Sequence, residues 1–308
     1  MAQRKNGNKN NHTEPQQAVA VPQQAGMPTL PDESTLPTEY GEGISYDPAD
    51  QLTTLVSVLQ TGSPQVNRTN AAYIPGANAG DIWLKNAIPP TVAGATGIFF
   101  QPCYFNKVWL EWRPRAVGGG GGQGFAGRHG ARDLPDGSTC PDVDDARRAP
   151  DPQDPKKTIW TRANGNILQE TRQHFGLVHV RGEFVTAPDG QNIHIASGFS
   201  PYCIPFTSTG HTVSKNWNGR LKGLRTPSGR VLNAYDTIWH MTLRQTSNAK
   251  GTWYLWHVNY AGRANTEEAM EGKRVFDDCK RGDRIAEQPM DDDTNGNVTI
   301  ESHAEAAL

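Results

Sequence analysis

The chain lacks paired cysteines, long apolar runs and any net charge large enough to name a partner. Cys103, Cys140, Cys203 and Cys279 stand far apart with no CxxC pair, which excludes a zinc ribbon or a thioredoxin-type redox motif on spacing. The nine histidines are equally dispersed. His174 and His179 have no cysteine or carboxylate cluster beside them at ligand spacing, so a structural role is expected for them, with no metal or cofactor. No run approaches the roughly 18 apolar residues of a membrane helix. No apolar core of about 7 to 15 residues follows the basic Arg4 and Lys5, so no secretory signal is read there. A soluble, cytoplasmic protein is expected, without membrane contact.

Catalytic signatures are missing too. The sequence contains no GxSxG, HExxH or GxxxxGK[ST], and no helical pattern opens after the glycine run Gly118 to Gly122, so neither an enzyme nor a nucleotide fold is expected. The nearest approach to a nuclease constellation is His129 between Arg128 and Asp133, and a histidine in a glycine-rich loop is read as solvated.

What is present is unevenly distributed. Hydrophobic residues make up 35% of the chain, with 32 Gly and 22 Pro among 308 residues. That composition points to one body with disordered flanks rather than two tight domains. Residues 1–46, rich in Gln, Asn, Pro and Thr, have too little apolar surface to offset ordering entropy and are read as a disordered N-terminal segment. Residues 287–308 form an acidic tail with six acids and no Lys or Arg. The formal net charge of −2 conceals this segregation, because residues 51–286 hold 27 bases against 19 acids. A cationic body attracts polyanions, and a tethered anionic tail competes for the same surface.

The body, residues 47–286, reads as mainly β: an OB-like barrel or sandwich with a few short helices. Residues 47–62 show one apolar stripe, Leu52, Leu55, Val56 and Leu59, with Asp47 or Asp50 as a cap and Gly62 as a stop, and predict a helix. AAYIPG and GDIWL predict short strands, and GIFFQPCYFNKVWLEWRPR predicts two runs split at Gln101 and Pro102. Further strands are expected in RQHFGLVHVRGEFVTA, QNIHIASGF and YCIPFTS. DTIWHMTLRQTS and GTWYLWHVNYAG predict a hairpin across SNAKG. Residues 116–157, rich in Gly, Pro and charge, are expected to be a mobile loop beside a groove.

Candidate binding residues follow from alternation, since a ring beside a cation accommodates both a base and its phosphate. Trp109 shares a strand face with Lys107 and Arg113, and Trp160 lies two residues from Arg162. Tyr254 and Trp256 share one face of GTWYLWHVNY, with Trp253 and His257 on the other. Arg115 and Arg128 border the glycine-rich stretch. In KNWNGRLKGLR, Val213, Trp217, Leu221 and Leu224 fall on one helical face, which makes Trp217 a core anchor and leaves Lys215, Arg220, Lys222 and Arg225 for phosphate contact.

The runs VSVLQTGSPQV, AAYIPGANAGDIWL, QPCYFNKVWLEWRPR, LQETRQHFGLVHV, STGHTVSKNWNGRL and GTWYLWHV resemble a family of tailed-bacteriophage proteins across about residues 52 to 260. That resemblance implies a DNA-metabolism protein that binds single-stranded DNA in the host cytoplasm, in replication or recombination. The basic body followed by an acidic tail is also similar in layout to single-stranded DNA-binding proteins with an OB-fold body, whose tails contact partner proteins. Those tails end in phenylalanine, whereas this chain ends Ala306-Ala307-Leu308. The alternative reading is a virion structural or assembly protein. Oligomeric state, a homo-oligomer included, stays open.

Overall fold

Long alternating runs rich in β-branched and aromatic residues build the frame, as such residues pack well on a pleated surface. The computed structural model describes residues 52–114, 124–136, 138–151, 155–188, 190–248 and 251–288. The strands are β1 Leu52–Val58, β2 Asp81–Leu84, β3 Thr91–Ala93, β4 Ile98–Trp112, β5 Phe125–His129, β6 Ala131–Asp133, β7 Thr139–Pro141, β8 Arg147–Pro150, β9 Thr158–Thr161, β10 Ile167–Thr186 and β11 Asn192–Phe206. After α1, Gly210–Gly223, come β12 Thr237–Asn248, β13 Gly251–Arg263, α2 Thr266–Arg281 and β14 Ile285–Ala286.

Five strands close a circuit. β4 pairs antiparallel with β10, β10 with β11, and β12 with both β13 and β4. A single parallel pair, Ile193 with Arg263, joins β11 to β13 and leaves the closure partly open. Taken in chain order, the five run first, second, third, fifth, fourth and back to the first, with α1 between the third and the fourth. This is the Greek-key connectivity of an OB barrel, so the expected β-rich, OB-like class is what the chain adopts. β4 bends into the circuit at Pro102, where the ladder to β10 shifts register beside Gly176. Glycine is required there, since a Cβ on Gly176 would stand 2.1 Å from the Gln101 carbonyl oxygen.

The barrel interior holds Phe100, Val178, Ile204, Trp239, Met241 and Val258. α1 packs against it through Trp217, which is 1% exposed. A second cluster, Cys103, Phe175, Leu177 and Cys203, lies under Val275 and Cys279 of α2. The cysteines are buried free thiols, and burial pushes Cys103 and Cys203 well above the ordinary thiol value.

Four expectations are corrected. The helix over 47–62 is a strand from Leu52: Thr54 and Leu55 pair parallel with Tyr202 and Cys203, and Val56 to Val58 pair antiparallel with β2. The four-residue apolar stripe fitted a helix, but two ladders were available to a Thr- and Val-rich segment. Asp47 and Asp50 lie outside the described residues. AAYIPG forms turns, with Tyr73 N–H donating to Asn70 and Ala77 N–H to Ile74. β4 and β11 each run unbroken where two strands were expected. Within 116–157 the described residues include β5 to β8, with β5 on β4 and the β8–β9 hairpin on β10.

Candidate nucleic-acid interface

Beyond its bend, β4 alternates sides, so Phe105, Lys107, Trp109 and Glu111 share one face. Phe105 meets His174 of β10 at 4.8 Å between ring centroids. His174 in turn stacks on Trp217 at 4.4 Å with an interplanar angle of 17°, and its Nε2 is 2.8 Å from Ser214 Oγ. Full burial, helped by the charge of Arg172, drives His174 down to about 3, so it is neutral at neutral pH. Where this stack meets the surface there is a cavity of about 260 Å³, lined by Tyr104 and Phe105 of β4 and by Asn218, Leu221 and Lys222 of α1. Its size lies just under the roughly 300–1,000 Å³ of sites for drug-sized ligands. An amide, Asn218, and an ammonium group, Lys222, stand in its wall.

One cation, Lys222, lines this cavity, and Lys107 follows two residues after Phe105 along β4. Lys107 faces Arg172 directly across the β4–β10 ladder, an unfavourable like-charge pairing. Arg172 is held by Glu170, Nε to Oε1 at 2.9 Å. Lys107, Lys215 and Lys222 have no ion-pair partner among the described residues, and Lys215 and Lys222 are exposed on α1.

The other candidates are used by the fold. Trp109 is 4% exposed, and Trp160 meets it edge-on at 6.1 Å, with the Arg148 guanidinium 5.2 Å over Trp160. Arg162 donates to Glu111 at 2.9 Å and to Asp145 at 2.8 Å. Arg128 donates to the carbonyls of Ala286 and Glu287. Trp256 is 8% exposed in the barrel interior, and Tyr254 packs partly buried against the same cluster. Arg220 donates to the Val258 carbonyl at 2.6 Å and lies 4.8 Å over Trp239. Arg225 closes the end of α1, donating to the carbonyls of Lys222 and Leu224. Arg113 is exposed at the end of β4, and Arg115 lies outside the described residues. As a correction, the exposed stacking role expected of Trp109 and Trp256 is not available, because the segment between β4 and β10 folds back over Trp109 and the barrel encloses Trp256. Phe105 was missed, and its position two residues before Lys107 in the same strand was the available signal.

Two polar networks complete the picture. Glu111 accepts from Asn166 at 2.5 Å and from Arg162, and its Oε2 is 2.6 Å from His129 Nε2. Burial pushes this carboxyl up, but those hydrogen bonds outweigh it and hold the group at about 2. His129, read from sequence as solvated, is thus tied to a carboxylate. The second network joins His179 of β10, His194 of β11 and Glu268 of α2, each no more than 3% exposed. A carboxylate therefore does lie beside His179, contrary to expectation, because α2 carries it there from a distant part of the chain. Burial lowers His179 to about 4 against the opposing charge of Glu268.

In OB barrels the face of the second and third strands receives oligonucleotides. Here α2 covers that face of β10 and β11 at Phe175, Leu177 and Cys203. Exposed cations without an ion pair among the described residues lie along α1, at Lys215 and Lys222, and also elsewhere, at Arg68, Arg147, Arg230 and Lys280. The family model described as Pam3 phage gp34-like protein matches residues 55–284. No curated protein and no solved structure matches the chain.

Proposed function

The chain belongs to the Pam3 phage gp34-like protein family, and from that premise we propose that it binds single-stranded DNA in phage replication or recombination, without catalysing a reaction. Lys107, Lys215 and Lys222 neutralise phosphates, while one base enters the cavity between α1 and β4 and stacks on Phe105. Base–aromatic stacking contributes roughly 1 to 3 kcal/mol per base and tolerates any sequence. The single observation that carries the reading is this cavity: the Phe105 ring, Asn218 for a base edge, and Lys222, which has no carboxylate partner among the described residues. The OB connectivity supports it as an analogy of fold only.

The acidic tail competes for the same lysines. Its first acid, Glu287, is already engaged by Lys85 at 3.0 Å and by the Leu55 N–H; residues 289–308 lie outside the described residues. Deleting 289–308 tightens DNA binding if the remaining acids compete, and leaves the affinity unchanged if they do not.

The direct test is titration of labelled oligo-dT with the full chain and with a Lys107→Ala, Lys215→Ala, Lys222→Ala variant. Each lysine–phosphate contact on a single strand adds about 0.7 to the slope of log K against log salt, so the variant loses about 2 from that slope. Binding by the parent no tighter than by a neutral control protein overturns the proposal.

A further inference from the structure

The geometry points to a divalent transition-metal site, of the zinc class, formed by His179, His194 and Glu268 between β10, β11 and α2. One ligand atom from each side chain lies within 4.8 Å of the others. Glu268 Oε1 is 2.8 Å from His194 Nδ1 and 3.7 Å from His179 Nδ1. Donors bound to one tetrahedral ion at roughly 2.0–2.1 Å stand about 3.3 Å apart, a value these two distances bracket.

Hydrogen-bond bookkeeping points the same way. The Gln101 amide nitrogen donates to the carbonyls of Tyr235 and Glu268, at 2.6 and 2.8 Å. Its oxygen must therefore accept, and His179 Nε2, 3.1 Å away, must carry the hydrogen. In the neutral ring this leaves the Nδ1 lone pair directed toward the Glu268 carboxylate with no hydrogen-bond partner. A lone pair facing a carboxylate oxygen in a site closed to solvent is repulsive unless a proton or a metal ion stands between them. Without metal, His194 Nδ1 donates to Glu268 Oε1 at 2.8 Å; on metal binding that hydrogen moves to Nε2, which frees Nδ1 as a ligand.

The supports expected around a metal are present. Gln101 orients His179 through the nitrogen opposite the proposed ligand atom. Glu268 is fixed by the capping box of α2, its Oε2 accepting from Asn265 N–H at 2.9 Å while Asn265 Oδ1 accepts from Glu268 N–H. Asn265 also donates to the His194 carbonyl at 3.2 Å. Phe99, Phe184 and Phe199 pack around the two imidazoles. The three ligands come from two strands and a helix, so the ion fastens α2 over the barrel face that OB proteins leave open. Three protein ligands leave the fourth tetrahedral position to a water, and burial on all sides closes that position to substrate.

The test uses the full chain, purified without a metal-affinity tag. Mass-spectrometric metal analysis, Co(II) substitution and thermal unfolding with and without added Zn(II) are read together. The site predicts about one metal per chain, visible absorption typical of low-coordinate Co(II), and a midpoint raised by about 5 to 10 °C at a hundredfold excess of Zn(II) over Kd. Glu268→Gln and His179→Gln should lose the metal and the Zn(II)-dependent shift. Should either variant fail to fold, the Co(II) spectrum and Zn(II) shift of the parent chain decide alone. Fewer than about one metal per ten chains, with no response to Zn(II) or Co(II), overturns the site and leaves a buried histidine–carboxylate network. Equal metal content in the parent and the Glu268→Gln chain also overturns it. DNA binding is not read in this test, so its outcome is separate from that of the proposed function.

Discussion

The two helices place their charges in opposite ways. α2 pairs three of its four cations: Lys273 with Asp277, Arg274 with Glu271, and Arg281 with Asp278 and Asp283, while Lys280 lies over the Phe276 ring. It begins with a capping box at Asn265 and Glu268 and ends at Gly282 in the left-handed conformation, φ 87°. α1 has no acidic residue in its first turn, and Lys215 and Lys222 find no carboxylate. One helix is built to cover a sheet, while the other anchors the barrel through Trp217 and leaves its cations facing outward. On the function proposed above, the unpaired lysines of α1 are where the phosphates of the strand sit.

The comparison can be broken most severely at the anchor of α1. Trp217→Ala should cost about 3 to 5 kcal/mol by denaturant unfolding, since it removes a fully buried ring that touches Phe100, His174, Phe206 and Trp239. A loss below about 1 kcal/mol would mean that α1 is not inserted as described.

A second effect is set by pH at the same contact. His174 is neutral in the fold down to about 3, whereas the unfolded chain takes up this proton below about 6.5. The unfolded state therefore binds more protons across that window, and stability falls as pH drops through it, by at most about 1.4 kcal/mol per pH unit from this group. Urea unfolding at several pH values should show a shallower slope for His174→Phe between about pH 6.5 and 5. An identical slope would assign the proton uptake elsewhere. Glu111 acts lower down, its contribution being present above its ordinary 4.5 and lost as pH falls through about 2.

Charge reversal sharpens the contrast between the helices directly. Lys222→Glu should weaken oligo-dT binding by roughly tenfold or more, while Lys273→Glu on α2 should change it by less than about twofold. Equal losses would reduce the effect to net charge. The smallest effect is on folding: Lys273→Ala removes an exposed pair and should leave the unfolding midpoint unresolved from the parent.

Local alternation made the β body, the β12–β13 hairpin and the Trp217 face of α1 legible in the sequence. The capping residues Asn265, Glu268 and Gly282 would have revealed α2 as well, but the polar, charge-rich run between them gave no weight to its apolar stripe. β1 was not legible, because Leu52, Leu55, Val56 and Leu59 satisfy a helical period and only the distant β11 and adjacent β2 decide against it. Trp109 was placed on the correct face of β4, yet what covers that face comes from residues some 50 positions away at Trp160. The His179, His194 and Glu268 cluster draws on three separated elements, so no spacing in the sequence could announce it.

The central claim is that unpaired lysines on α1 and the adjoining stretch of β4 hold a single strand. Anisotropy of labelled oligo-dT from about 50 to 200 mM salt tests it most directly. The account predicts affinity that falls steeply with salt in the parent chain, with a slope reduced by about 2 when Lys107, Lys215 and Lys222 are removed together. A parent chain that does not bind, or whose salt dependence is unchanged in the variant, contradicts it.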